Sequence, residues 1–390
     1  MITFEEAFRI ITSNIPVKET ERIHFQLSAG RVLAEDIHSD LNMPPFDKAA
    51  VDGYACRRAD LHQPMQLLEV IAAGRQPEKD ILPGCCSKIM TGAMLPKNAD
   101  CVVMVEHSMI DEEGKVIILE KNTKNNIAYL GEDISEGEKV LTKGLLIKAQ
   151  HIAVLAAAGA INPLVYKKVI TTIMSTGDEL VEPDQHPVAG KIRNSNGSQL
   201  VEQLRATGAE VIYGGIVPDD VEITRQMISN ALKNSDVIIL SGGISMGDFD
   251  YIPAILKELG FQILFQSLAV QPGKPTVFAR SENKFILGLP GNPVSSFNIF
   301  ELLGKPFLYR LMGHQQKDLN LRLPLAENFS RKGSGRLGFV PALLKNGMVV
   351  PIHYHGSAHI NALVNADVLF SVPLGISELH AGDLVDVRFI

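Results

Sequence analysis

The sequence predicts a multidomain protein of the α/β plus β class, and three observations carry that prediction. Strands and helices alternate from about Val165 to Met312, the pattern of a three-layer parallel sheet. Short strands punctuated by Pro and Gly fill Asn42 to about Asp133, as expected of a β-rich domain inserted into a longer scaffold. From about Asn320 onward the chain is strand and turn, which fits a small barrel or sandwich. The expected units are 1–45 with 140–165 as an elongated scaffold, 46–139 as the insertion, 166–314 as the α/β domain and 315–390 as the C-terminal β domain.

In chain order, residues 1 to about 35 look helical, with Phe4, Phe8 and Ile11 on one face and Asn14-Ile15-Pro16 ending the first helix. Leu67 to Ile71, Asp100 to Val105 and Val116 to Leu119 are expected strands of the insertion. Two loop signatures lie among them, FDKAAVDGYACR (46–57) and IMTGAMLPKNADCVV (89–103). Their Asp52-Gly53 and Thr91-Gly92 pairs are turn dipeptides first. The acid cluster NIAYLGEDISEGEK (126–139), with Glu132 and Asp133, has a solvated loop as its plainest explanation. An Ala-rich helix from Lys148 to Gly159 follows, and Asn162-Pro163 marks a boundary.

The α/β domain is organised around residues 236 to 259. Val237 to Leu240 is too short for a helix and rich in β-branched residues, so it reads as a buried parallel strand. Gly242 and Gly243 follow, then Asp248 and Asp250. Ile252, Ile255, Leu256 and Leu259 recur at helical spacing, with Pro253 in the first turn and Asp250 placed to cap it. Open α/β sheets bind ligands at such strand ends. A glycine loop suits phosphate, yet the two carboxylates would repel it, and a divalent cation between them resolves the conflict.

Other strand ends converge on the same rim. A strand from Val169 to Met174 ends in STGDEL, Asn196 and Ser198 can cap a helix through Leu204, and a strand from Glu210 to Val217 ends at Pro218-Asp219-Asp220 before a helix from Val221 to Leu232. Phe261 to Leu268 is a strand, VQPGKPTVFA a loop and strand, and FILGLPGNPVSSFNIFELLG a strand, loop and long helix. Asp178, Glu179, Asp219, Asp220, Asp248 and Asp250 are thereby expected on one edge of the sheet. Acids also gather at helix N-termini because of the dipole, which is the plainer explanation for each alone. Farther on, Asn346-Gly347 is a hairpin signal. His353 and His355 share a strand face and could join His359 around a metal, but strand histidines without a nearby Cys or acid ligand are more often inert.

Composition narrows the function classes. A net charge of −7 argues against a nucleic-acid surface while leaving room for local basic clusters that hold a small anion. The opening MITFEEAFRI lacks a charged n-region and long apolar core, so no signal peptide is expected. Ile152 to Val165 is too short to span a membrane and contains Asn162 and Pro163. Cys56, Cys85, Cys86 and Cys101 show no CxxC spacing, and buried thiols in a cytoplasmic protein are the expectation.

With these loops laid out, the chain resembles the molybdopterin molybdenumtransferases, bacterial enzymes similar to the E domain of gephyrin, over nearly its whole length. The motifs are VDGYA (51–55), TGAMLP (91–96), GEDI (131–134), STGDEL (175–180), SGGISMGDFDY (241–251), PGKP (272–275) and GLPGNPVS (288–295), in the family's order. The resemblance implies an elongated domain at a dimer interface, a β insertion, an α/β domain like the molybdopterin-adenylyltransferase fold, and a C-terminal β-barrel. It also implies a homodimer whose cleft lies between the α/β domain of one subunit and the insertion of the other, with a molybdopterin adenylyltransferase as a further partner. The implied reaction inserts molybdate into adenylylated molybdopterin, with Mg²⁺-dependent cleavage of the phosphoanhydride and release of AMP. Motif matching implies catalytic roles for Asp52, Thr91, Asp133, Glu179, Asp219 and Asp250, and Mg²⁺ binding by Glu179, Asp219, Asp248 and Asp250. It implies substrate contacts from Ser175, Gly177, Gly242, Gly243, Ser245, Lys274, Pro275, Pro290, Gly291, Asn292 and Pro293.

The chain departs from that family pattern at Ala128, Gln271 and Pro341, where Arg, Lys and Arg are usual, and at Ala362, where a serine is usual. Losing cationic forks removes charge-assisted hydrogen bonds to an oxyanion. A divergent paralogue with weakened or altered oxyanion specificity is one expectation, and compensation by Lys124, Arg336 or Lys345 is the other. A hydrolase or adenylyltransferase acting on another nucleotide conjugate is a third reading, against which VDGYA and TGAMLP argue. A scaffold ranks last.

Overall fold

The computed structural model describes residues 1–13, 15–244, 251–315, 321–353 and 356–390. Helix α1 (Phe4–Thr12) opens the chain, fixed by a capping box in which Thr3 and Glu6 satisfy each other's backbone N–H groups. It ends there: Ile15 precedes Pro16, which disfavours helical backbone, and Thr20–Arg22 is a strand where the sequence suggested more helix. The apolar face of α1 does not join the strands that follow it. Phe4, Ala7 and Ile11 are buried in the core of the α/β domain, and Phe4 meets Phe339 edge-on at 5.3 Å.

The chain then leaves and returns along a ladder of nested antiparallel pairs. Thr20–Arg22 pairs with Leu164–Tyr166, Ile37–His38 with Lys139–Leu141, Met43 with Ile134, and Lys48–Ala49 with Ile127–Ala128. This stalk carries a four-stranded sheet in the order Gln66–Ile71, Cys85–Ile89, Gly53–Cys56, Cys101–Met104. Helix α2 (Ala149–Ala157) lies against the foot of the stalk, and of its residues only Leu155 is buried.

The α/β domain holds a six-stranded sheet, β1 (Ile170–Thr176), β2 (Glu210–Val217), β3 (Val237–Ser241), β4 (Gln262–Phe265), β5 (Val277–Ser281) and β6 (Lys284–Leu289), in the order β2-β1-β3-β6-β5-β4. The first four in that order are parallel, and β5 is antiparallel to both its neighbours. Side chains alternate across a strand. Val237 and Ile239 of β3 are therefore buried with Ile173, Leu287 and Leu289 under α3 (Ser195–Ala206), while Ile238 and Leu240 are buried with Met174 and Ile286 under α4 (Val221–Asn234) and α5 (Ile252–Glu258). Both faces are covered, which is why β3 is an unbroken apolar run.

The expected long helix after β6 is interrupted. Helix α6 (Pro293–Ile299) passes through one wide π turn (Phe300–Gly304) into α7 (Lys305–Leu311). Pro306 has no N–H to continue the α ladder, and the wider turn absorbs the missing bond. In the C-terminal domain, Leu337–Lys345 turns back through Asn346 and Gly347, both at positive φ, to Met348–Pro351. Strands Val368–Val372, Leu384–Phe389 and Leu321–Pro324 extend that sheet, and a bridge from Leu325 to Val349 brings its free edges together. Val270–Gln271 pairs with Leu337–Gly338 and ties this domain to the α/β domain. Among the described residues no helix is long and apolar enough to cross a membrane.

Phe278 sits at the centre of the larger core, with Phe307 at 5.0 Å and Phe265 at 5.8 Å. Phe278→Ala is expected to cost about 3–5 kcal/mol through lost burial and the cavity left behind. Chemical denaturation followed by circular dichroism measures this; a loss below about 1 kcal/mol would show that the aromatic cluster is not the keystone of this core.

Candidate functional site

Four parallel strands point their carboxyl ends the same way, and each ends in a turn that leaves room. A cavity of about 680 Å³ opens there, walled by Gly177 and Glu179 after β1, Asp219 after β2, Gly242 and Gly243 after β3, and Pro290, Gly291, Asn292 and Pro293 after β6. Ser175 and Pro275 also line it, as do Ala358 and Ile360 from the C-terminal domain. Eleven of the sequence-predicted residues thus share one space: Ser175, Gly177, Glu179, Asp219, Gly242, Gly243, Pro275, Pro290, Gly291, Asn292 and Pro293. Ser245, Asp248 and Asp250 lie outside the described residues.

The glycines shape the turns by the absence of a side chain. Gly242 and Gly243 both have positive φ, and a Cβ on either would come within 2.8 Å of Thr176. The Gly242 N–H is spent on the Leu289 carbonyl at 3.0 Å and the Gly177 N–H on the Val217 carbonyl at 3.1 Å. At the start of α6 the Val294 N–H donates to the Ser357 carbonyl at 3.0 Å, so a segment of the C-terminal domain occupies one donor of that helix end. Asn292 donates to the Ser357 hydroxyl at 3.0 Å as well.

The acids divide by task. Asp178 and Asp219 each accept the other's backbone N–H, at 3.1 and 3.3 Å, which locks the turn after β1 to the turn after β2. Asp220 is a helix cap, accepting from Ile223 at 2.8 Å, and leaves the set of site acids. Glu179 and Asp219 remain at the cavity wall. Among the described residues no three His, Cys, Asp or Glu converge as a metal cage. Two hard carboxylates nonetheless fit Mg²⁺, which is commonly held by one or two carboxylates with the rest of its shell from substrate phosphate and water. His353 pairs with Glu327 at 3.1 Å, away from this cavity, and His355 lies outside the described residues.

Sequence reasoning missed part of the wall. The cap of α3 is Asn194, whose side chain accepts from Gly197 at 2.9 Å, and not Asn196 or Ser198. Asn194 also donates to the Tyr213 hydroxyl at 3.0 Å, which in turn donates to Glu182. Burial, with Glu182 adding to it, pushes the Tyr213 phenol up to about 12, so it remains a donor at neutral pH. Asn196 reaches the cavity floor, and Arg193 stands at the wall with its Nε on the Gln185 carbonyl at 3.2 Å. Only their position one residue before and two residues after the cap, in a strand-to-helix turn, hinted at this.

Comparison with known proteins agrees over the whole chain. Residues 2–159 match the description "MoeA N-terminal region (domain I and II)", residues 172–310 "Probable molybdopterin binding domain", and residues 322–390 "MoeA C-terminal region (domain IV)". The molybdopterin molybdenumtransferase of Staphylococcus epidermidis is 34% identical, over 99% of this chain and 95% of that protein. The chain belongs to the molybdopterin molybdenumtransferase family. The Bacillus subtilis member is 33% identical over 100% of this chain and 94% of its own. A crystal structure of the molybdopterin biosynthesis MoeA protein from Pyrococcus horikoshii OT3 superposes with a TM-score of 0.85 at 28% identity, covering both chains completely.

Other family motifs lie away from this cavity. VDGYA and TGAMLP meet in the insertion, where one Asp52 oxygen accepts both the Thr91 hydroxyl and the Thr91 N–H, each at 2.6 Å. Asp133 is exposed near the stalk, its N–H on the Met43 carbonyl at 3.0 Å. Neither these residues nor the exposed Lys274 line the cavity. Of the positions that depart from the family pattern, Gln271 has a cation close by: Arg336 donates to the adjoining Val270 carbonyl at 3.2 Å. Lys345 stands at the far end of the same long strand, and Lys124 is exposed in the insertion. Pro341 and Ala362 are buried, so neither position offers the cavity a polar group.

The Thr91 hydroxyl, followed by its N–H, holds the Asp52 carboxyl below its ordinary value. A depressed carboxyl adds stability above its unfolded value and loses it as pH falls through its folded one. In Thr91→Val the side-chain donor disappears and the Asp52 titration should move up toward the usual carboxylate range. Carbon-detected NMR titration reads this directly; an unmoved midpoint would assign the depression to the backbone N–H.

Proposed function

We propose that this chain carries out the molybdenum insertion step of cofactor biosynthesis: molybdate is inserted into adenylylated molybdopterin, the phosphoanhydride is cleaved and AMP leaves. The observation that carries the reading is the meeting of Glu179 and Asp219 with the Gly242–Gly243 and Pro290–Pro293 turns in one cavity of a family member. Such a cavity can take a flat, phosphate-bearing ligand, and Arg193 can pair with an anionic group as a forked donor. Glu179 and Asp219 would hold Mg²⁺, with Asp248 and Asp250 completing the set by sequence. When bound, the ion supplies positive charge against the developing charge on the departing phosphate. Asp178 supports this arrangement by fixing the turn that carries Asp219.

The active form in this reading is a homodimer. Helix α2 exposes Ala149, Ala153 and Ala156, and Leu27 and Ile161 beside it are exposed too, an apolar face suited to a second copy. Asp52, Thr91 and Asp133 stand outside the cavity of their own chain, so in the dimer they would serve the cavity of the other. A molybdopterin adenylyltransferase is the proposed source of the adenylylated substrate.

Glu179→Gln should leave the fold intact and slow AMP release about a hundredfold, the usual effect of removing one preorganised electrostatic contact. Release is followed by chromatography with adenylylated molybdopterin, molybdate and Mg²⁺ present, and a wild-type rate in the variant would overturn the role given to this acid. Mixing Asp52→Ala chains with Glu179→Ala chains should restore roughly a quarter of wild-type activity if random exchange leaves one intact shared cavity in half of the dimers. Activity no greater than either variant alone would place both residues in one subunit's site.

A further inference from the structure

Among the described residues, two polar atoms at the floor of the cavity have no hydrogen-bond partner. Asn196 is almost fully buried in the first turn of α3, and its side-chain nitrogen donates to the Ser241 hydroxyl and to the Gly291 carbonyl, both at 2.8 Å. A carbonyl can only accept, so the contact with Gly291 fixes which way round the amide stands. Asn196 Oδ1 is then left without a donor. Ser175, 1% exposed, is register partner to that same Ser241 on the neighbouring strand, and its hydroxyl also has no partner. Both residues line the cavity.

An unpaired buried acceptor is costly, and two flanking one serine at the end of a binding cavity are a cost that the protein retains. Asn196 Oδ1 accepts only, while the Ser175 hydroxyl can rotate and can both donate and accept. A phosphate oxygen, itself an acceptor, can take a bond from the Ser175 hydroxyl but gains nothing at Asn196 Oδ1, whereas an N–H pairs with both. We propose that Ser175 and Asn196 form the polar floor that receives the N–H-bearing edge of a flat nitrogen heterocycle, so that the ligand enters ring first and leaves its phosphates toward Arg193, Glu179 and Asp219. This inference rests on the proposed function and deepens it. Ser175 and Asn196 read the ring. The acids and Arg193 handle the charge.

Ser175→Ala separates the two roles, because among the described residues the hydroxyl makes no bond that its removal could break. A hydroxyl kept for the ligand should be missed by the ligand alone. The variant is expected to melt at the same temperature as wild type or slightly above it, while adenylylated molybdopterin binds about tenfold more weakly by calorimetry and KM rises with kcat nearly unchanged. AMP alone is the second arm: an equal loss assigns the floor to adenine, and an unmoved affinity assigns it to the pterin. Unchanged affinity for both ligands would overturn the proposal, and so would a clear drop in melting temperature, which would show a structural partner for the hydroxyl. Failure of the wild-type protein to bind either ligand would instead overturn the proposed function on which this inference rests.

Discussion

Everything at the cavity follows from how closely the turn after β1 approaches the turn after β3. Thr176 leaves no space for a side chain at either residue 242 or residue 243. Glycine at both lets the parallel strands end side by side and still turn outward. A methyl group at either position would meet Thr176 at 2.8 Å and force the turns apart, and with them the Asp178–Asp219 lock and the Asn196 clamp on Ser241 and Gly291. Backbone geometry thus sets the shape of the site before any charged residue acts in it.

The second constraint is the stalk. Its pairs are nested, so the outgoing and returning chains brace one another from Thr20–Tyr166 to Lys48–Ala128. The stalk carries an insertion with core clusters of its own, in which Asp52 and Thr91 are tightly bonded to each other and do not line the cavity.

Much of this was legible in the sequence, for identifiable reasons. Strand β3 could be read because burial on both faces demands an apolar run, and α5 because its apolar spacing has one period. The glycine and acid rim could be read because parallel strands must end together. Other features resisted. Asn194 and Asn196 are chemically identical two residues apart, and only the three-dimensional path of the chain decides which caps the helix and which reaches the floor. Helix α1 announces an apolar face but not its target, and its partner Phe339 lies over 300 residues away. The use of the α6 N-terminus by Ser357 depends on a contact between domains that no local pattern encodes.

That same long separation has a consequence for biosynthesis. A chain emerging from the ribosome completes the insertion's sheet, residues 53–104, from neighbouring segments, and contacts close in sequence form quickly. Helix α1 has no such opportunity, because the surface that buries Phe4, Ala7 and Ile11 includes strands and side chains made much later. The first structure translated is therefore among the last to find its place. The capping box of Thr3 and Glu6 acts within the helix itself, so it can favour helical backbone during that interval without waiting for the core.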